Sequence, residues 1–341
     1  MEVYKVCIIN DFTLLFIYEY SNIISLVNIN TMHKDDIKIF NLDYILDAEI
    51  VRNDIFFVGR GQYIVKYNLI SKKTNCFEIS NTNDAIYTSI RKINDLFFIA
   101  NMNAKTVEVW NTKNKKMLYN FFSGEFVREI IYDNYLNIII VLTTETEDFG
   151  YLLFFHLSEE KLYSLNVRIE CLFAPSSVKL FRNNLIIVGG YPPLNIQIHE
   201  YPSLSIKKEL ILYQDYPKNI FGCEMGITFF IDYSFINQHQ LICPYAGGDI
   251  LLIDIINNTC KIVHKDSDTY IFSKIIKNNI IIVSKEGNVI IHKNIYNMKL
   301  CNLQNILHKD LQYKDIPLNN NFNEYKVIDS EEDPIHLRII E

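Results

Sequence analysis

Seven times along the chain, a run of three or four apolar residues stands between polar turn residues. The runs are Leu14-Leu15-Phe16-Ile17, Ile55-Phe56-Phe57-Val58, Leu96-Phe97-Phe98-Ile99, Ile138-Ile139-Ile140-Val141, Leu185-Ile186-Ile187-Val188, Leu241-Ile242-Cys243 and Ile280-Ile281-Ile282-Val283. Their first members lie 41, 41, 42, 47, 56 and 39 residues apart. Short continuous apolar runs bounded by turn residues predict strands buried on both faces. Asn53-Asp54, Asn94-Asp95, Asn183-Asn184 and Asn278-Asn279 each stand just before a run, as does Asn137. Asn and Asp tolerate left-handed backbone, so this register predicts tight hairpins. A second ladder follows at Val27, Tyr67, Trp110, Phe155, His199, Ile253 and His292, in segments such as Val107-Glu108-Val109-Trp110 that alternate as half-buried strands do. Most repeats close on a fourth, weaker strand, for example Met117-Leu118-Tyr119-Asn120-Phe121.

Four strands every 40 to 45 residues or so is the period of a propeller blade. The pattern predicts an all-β, seven-bladed β-propeller with four antiparallel strands per blade. The expected blades span about 1–43, 44–84, 85–124, 125–169, 170–213, 214–267 and 268–305, with a C-terminal extension over 306–341. One stretch carries helical spacing, at Leu300, Leu303, Leu307 and Leu311, and predicts a helix ending the seventh blade. The dipeptides Trp110-Asn111, Tyr67-Asn68, Phe155-His156 and Ile253-Asp254 fall where the WD-repeat family ends its third strand with Trp-Asp. The chain therefore resembles that family over residues 3–305, although the Gly-His signature is missing and one Trp remains. The resemblance implies a non-catalytic scaffold that binds other proteins as a subunit of a hetero-oligomeric complex. It implies that partners are received where the turns between second and third strands gather. Those turns contribute Arg60, Gln62, Asn103, Lys105, Glu145, Tyr191, Pro192, Tyr245, Lys285 and Glu286.

Composition narrows the alternatives. Net charge is −7, with no basic field, so no direct nucleic-acid partner is expected. No apolar run reaches the ~18 residues of a membrane span. Seven scattered cysteines form no Cys-x-x-Cys pair, which suits a reducing compartment and a cytoplasmic or nuclear location. Metal and cofactor motifs are missing, and Gly59-Arg60-Gly61 reads as a hairpin turn, not a nucleotide loop. Two other classes remain open. A propeller enzyme would gather carboxylates from several blades in an active site in the central channel. A phosphoinositide binder would carry a paired-arginine motif, to which the nearest match is Leu180-Phe181-Arg182-Asn183, with a single arginine.

Two segments break the period. The sixth repeat has extra chain from Phe221 to Gln240, rich in aromatic residues at Phe229, Phe230, Tyr233 and Phe235, and is expected to add a secondary contact. The tail sets two apolar segments, Tyr325 to Ile328 and Ile335 to Ile340, around the acidic run Asp329 to Asp333. Such strands would add to a blade edge or serve as a partner-binding peptide.

Overall fold

The computed structural model describes the chain apart from residues 124–125, 147–148, 160, 172, 174, 190–193, 213–232, 238, 246–248, 258, 266–269, 278, 294–300, 303–305, 309–336 and 340–341. Among the described residues there are strands and turns but no helix, and so none long and apolar enough to cross a membrane.

Strands of the first blade are β1 (Val3–Asn10), β2 (Thr13–Tyr18), β3 (Ile23–Asn28) and β4 (His33–Lys38). The second holds β5 (Tyr44–Val51), β6 (Asp54–Arg60), β7 (Tyr63–Asn68) and β8 (Thr74–Glu78). The third holds β9 (Tyr87–Ile93), β10 (Leu96–Asn101), β11 (Thr106–Asn111) and β12 (Lys116–Phe122). In the fourth are β13 (Phe126–Asp133), β14 (Ile138–Thr146), β15 (Phe149–Ser158) and β16 (Lys161–Cys171). The fifth has β17 (Pro175–Phe181), β18 (Asn184–Gly189), β19 (Leu194–Glu200) and β20 (Ile206–Leu212). In the sixth are β21 (Ser234–Phe235), β22 (Gln240–Tyr245), β23 (Asp249–Asp254) and β24 (Thr259–Lys265), and in the seventh β25 (Tyr270–Ile276), β26 (Asn279–Ser284) and β27 (Val289–Lys293). Strands of each sheet pair in chain order, and the seven sheets are the blades of a seven-bladed β-propeller.

The seventh sheet has three strands among the described residues, one fewer than the repeat predicts. The described residues of the stretch expected as a helix, Leu300 to Leu311, are not helical. Instead β28 (Cys301–Asn302) pairs with β24, and β29 (Ile306–His308) pairs with β20. The fourth strands of blades five and six would otherwise end their sheets with unpaired N–H and C=O groups, and β28 and β29 pair with those edges. The last strand, β30 (Leu337–Ile339), adds to β12 of blade three, as one of the two expected tail strands. The other, Tyr325 to Ile328, and the acidic run lie outside the described residues.

Cross-strand register shows which ladder residues are equivalent. Ile55 pairs with Tyr67, Leu185 with His199, Leu241 with Ile253 and Ile280 with His292. In blades three and four, however, the partner of Trp110 is Phe97 and that of Phe155 is Ile139. The ladder positions Leu96 and Ile138 are therefore one residue early. A one-residue slip moves a side chain to the other face of the sheet. Accordingly Phe97 packs toward blade two, whereas Leu96 joins the core between blades three and four. Because these runs are apolar at every position, hydrophobicity alone does not mark the register.

The turns obey the expected chemistry in part. In three hairpins between first and second strands, the left-handed residue is the base before the Asn: Arg52 (φ 58°), Arg182 (φ 55°) and Lys277 (φ 49°). In two others, Asn94 (φ 52°) and Asn137 (φ 56°) take that conformation themselves. The residue after the second ladder has a clearer role. Asn68 Oδ1 accepts N–H bonds from Ile70 (3.2 Å) and Ser71 (2.8 Å), and Asp254 Oδ1 accepts from Ile256 (3.0 Å) and Asn257 (2.9 Å). Asn28 and Asn111 do the same, so this position caps the turn between third and fourth strands. That is the physical content of the eroded Trp-Asp position.

By packing, the chain divides into two compact units. The first comprises Met1–Phe16, Val27–His33 and Phe173–Pro317, and the second Ile17–Leu26, Lys34–Leu172 and Leu318–Glu341. Each has cores between neighbouring blades. In the second unit, Val58, Ile64, Tyr87 and Phe97 fill the seam of blades two and three, and Phe98, Phe121, Ile139 and Phe155 that of three and four. In the first unit, Ile186, Tyr233, Leu241 and Ile253 join blades five and six, and Ile242, Ile250, Tyr270 and Ile280 join six and seven.

Candidate interaction surface

In the second unit the turns between second and third strands are held by the connections that enter the next blade. Gly59 permits this arrangement, because a Cβ there would stand 1.9 Å from the Tyr44 carbonyl oxygen. Gly61, at φ 146°, then donates its N–H to the Ala85 carbonyl (2.9 Å). Arg60 bridges Ile86, and Ile86 in turn donates its N–H to Asn103 Oδ1 (2.8 Å) while its carbonyl accepts from Met102 N–H (2.8 Å). Residues 84–86 thus tie the blade-two turn to the blade-three turn, and Arg60, Asn103 and their neighbours form one surface. Both glycines are explained by close backbone packing, as the hairpin reading of Gly59-Arg60-Gly61 requires.

Arg60 is the charged centre of this surface. Its Nη2 donates to Asp84 Oδ1 at 2.7 Å, while its Nε lies 3.7 Å from Asp43 Oδ2, an ion-pair distance beyond hydrogen-bond reach. That Nε is covered and donates no hydrogen bond. Beside it, Tyr44 stands edge-on to Tyr20, with ring centroids 5.7 Å apart, and burial pushes the Tyr44 hydroxyl pKa up against the opposing charge of Arg60. Tyr20 is 67% exposed in a left-handed turn conformation (φ 49°) that a bulky residue rarely adopts. Phe40, Met102 and Phe122 are exposed on the same set of turns and connections.

The remaining expected residues divide three ways. Gln62 serves through its backbone, its carbonyl accepting from Ile79 N–H (2.8 Å), and Lys105 occupies a left-handed turn position (φ 56°). Glu145 is half-buried in β14. In the first unit, Lys285 is clasped by Glu2 at 2.6 Å and its carbonyl accepts from Val3 N–H, with Glu286 exposed beside it. Tyr191 and Pro192 lie outside the described residues, and of Tyr245 only the backbone, ending β22, is described. Phe229 and Phe230 of the sixth-repeat segment are likewise outside them. Among its described residues, Tyr233 is fully buried with its hydroxyl donating to the Ile186 carbonyl (2.7 Å), and the half-buried Phe235 stacks on Phe181 at 4.1 Å.

Sequence reasoning missed Tyr20, Phe40, Asp43 and Asp84. Tyr20 sits on the blade-one turn, equivalent to the turn of Arg60, and that equivalence was readable from the repeat. The other three lie on connections between blades, whose convergence with the turns needs the fold.

A second polar cluster lies on the first strands of blades two to four. Asp47 accepts N–H bonds from Ala48 (2.8 Å) and Ile90 (3.0 Å). Arg91 pairs with Glu49 at 2.8 Å, lies 3.9 Å from Glu129 and donates through Nε to the Ile130 carbonyl (2.7 Å). Burial opposes the Arg91 charge, but Glu49, Asp47 and Glu129 outweigh it and push its pKa up. These acids hold backbone and guanidinium groups of adjoining blades in place. Among the described residues no group of three His, Cys, Asp or Glu is placed to hold a metal ion.

No protein-family model matches the chain, and no curated protein matches it. Among solved structures it is similar to the WD40 β-propeller domain of Doa1, with a TM-score of 0.58 at 11% identity over 85% of this chain and 92% of that one. It is also similar to the computationally designed Ika8 protein, with a TM-score of 0.56 at 10% identity over 85% of this chain and 82% of that one. Both likenesses concern the fold.

Proposed function

We propose that this chain is a non-catalytic scaffold within a multiprotein complex, and that its second unit receives a partner protein on the surface around Arg60. A WD40-type propeller fold supports protein interaction in general. The observation that carries the finer reading is the juxtaposition of exposed Tyr20, through its ring contact with Tyr44, with Arg60, which pairs with Tyr44, has a side chain 42% exposed and spends one hydrogen bond on Asp84. Aromatic side chains beside an arginine with donors to spare are the typical make-up of a binding hot spot. The acid cluster on the first strands supports the same reading, because its carboxylates are engaged in holding blades together. The lipid-binding alternative draws no support from Arg182, which is a turn residue over the Phe181 ring.

The test is affinity capture from native cells with Tyr20→Ala and Arg60→Ala, singly and together. Each variant should fold normally, since surface changes usually stay within about 0.5 kcal/mol. Recovery of the partner should drop about 10-fold or more if either residue contributes above ~1.4 kcal/mol. Unchanged recovery with both substitutions would overturn the assignment of this surface.

A further inference from the structure

One position recurs at four blade seams: a fourth-strand side chain of one blade meets the second-ladder side chain of the next. Between blades two and three it is Phe77 against Trp110, with ring centroids 5.9 Å apart, and between three and four Phe121 against Phe155 at 4.2 Å. Leu210 and Ile253 share the core between blades five and six. Between blades six and seven, however, two imidazoles hold the position. His264 stands opposite Ile250 in β24, as Phe77 stands opposite Ile64 in β8, and His292 stands opposite Ile280, as Trp110 stands opposite Phe97. Their rings lie 5.1 Å apart, with His292 Nε2 3.2 Å from His264 Nδ1, and His264 Nε2 is 2.9 Å from the Tyr270 hydroxyl.

We propose that the His264–His292 pair makes the seam of blades six and seven a proton-operated joint, closed while the pair holds at most one extra proton and loosened when both rings are charged. In the neutral pair one ring donates N–H and the other accepts on its lone pair. One added proton leaves that bond possible, because one acceptor nitrogen remains. A second removes the acceptor, so two cationic N–H groups face each other across 3.2 Å in a half-buried site. Among the described residues, Tyr270 of β25 faces the pair, while β23 and β26 present Ile250 and Ile280. Lys274, also on β25, lies over the Phe272 ring, and β28 sets Cys301 opposite Ile262. Burial and the neighbouring His264 both push the His292 pKa below the ordinary imidazole range. The unfolded chain therefore takes up protons first as pH falls through about 6.5, and stability present above that pH is lost below it.

The inference is independent of the partner-binding surface, which lies in the other unit. Its test compares the wild-type chain with the double variant His264→Phe/His292→Trp, which copies the Phe77–Trp110 pair. Thermal midpoints are read at pH 7.5 and 5.0. The wild type should lose ~2–4 °C more than the variant on acidification, as a difference of about one kilocalorie would give in a large domain. His199 adds the same slope to both chains and cancels. An equal loss in the two overturns the proposal. The same question is put to the wild type alone by following the two imidazole rings by NMR. Coupled titration, with the second step well below pH 6, supports the joint. Independent titration of both rings near ~6.5 overturns it.

Discussion

The seams of the second unit and those of the first close the same geometry with different chemistry. Between blades two and three the joint is aromatic at the rim, with Phe77 on Trp110, and ionic on the first strands, where Arg91 of blade three takes Glu49 of blade two. Between blades six and seven the rim is a pair of imidazoles, and the first strands are tied by hydroxyls: Ser234 Oγ donates to the Ser273 carbonyl (3.1 Å) and Ser273 Oγ to the Ile242 carbonyl (3.4 Å). In both, the side chains project from strands in matching register. The backbone therefore sets where the contact falls, and the residue type sets what the contact answers to. An aromatic seam responds to neither pH nor salt, a guanidinium–carboxylate tie suffers when one partner is lost, and an imidazole seam follows the proton.

The comparison breaks most sharply at the dry contact. Phe155→Ala should cost about 3–5 kcal/mol in a urea titration, since the ring is fully buried against Phe121. Trp110→Ala should cost less, because the indole is only half-buried, although the change also takes the N–H donor at 2.9 Å from the buried Glu108. A cost below about 1 kcal/mol for Phe155 would show that this seam is not a close-packed joint. Next comes the ionic tie. Arg91→Ala should cost about 3 kcal/mol by the same titration, because it leaves Glu49, with a side chain 18% exposed, without its cation. Its counterpart in the first unit should be the weakest: Ser273→Ala removes one hydroxyl bond and should cost about 1 kcal/mol or less. Equal costs for Arg91 and Ser273 would mean that the two units are not joined by ties of different strength.

Much of the fold was legible because it follows from local rules repeated seven times. The apolar runs mark the second strands, and in four repeats a capping Asn or Asp after the second-ladder residue (Asn28, Asn68, Asn111 and Asp254) marks the turn that follows. What misled was uniformity. Leu96 and Ile138 began runs that are apolar throughout, so only pairing with Trp110 and Phe155 revealed the one-residue offset. The spacing of Leu300, Leu303 and Leu307 matched a helix, but strand edges left open by blades five and six claimed part of that stretch. In the candidate surface, Arg60 and Asn103 were readable as turn residues, whereas Asp43 and Asp84 were not, since they come from connections with no periodic signal.

The sequence by itself determined the class of structure, the count of blades and the place of each second strand, because these depend on the period of hydrophobicity and on turn chemistry within about ten residues. Tertiary structure alone decided which face each buried residue takes, that Tyr233 is core with Phe235 packed against it, and that His264 and His292 meet. Those outcomes depend on side chains 28 or more positions apart being brought within hydrogen-bond or van der Waals reach by the packing of one blade on the next.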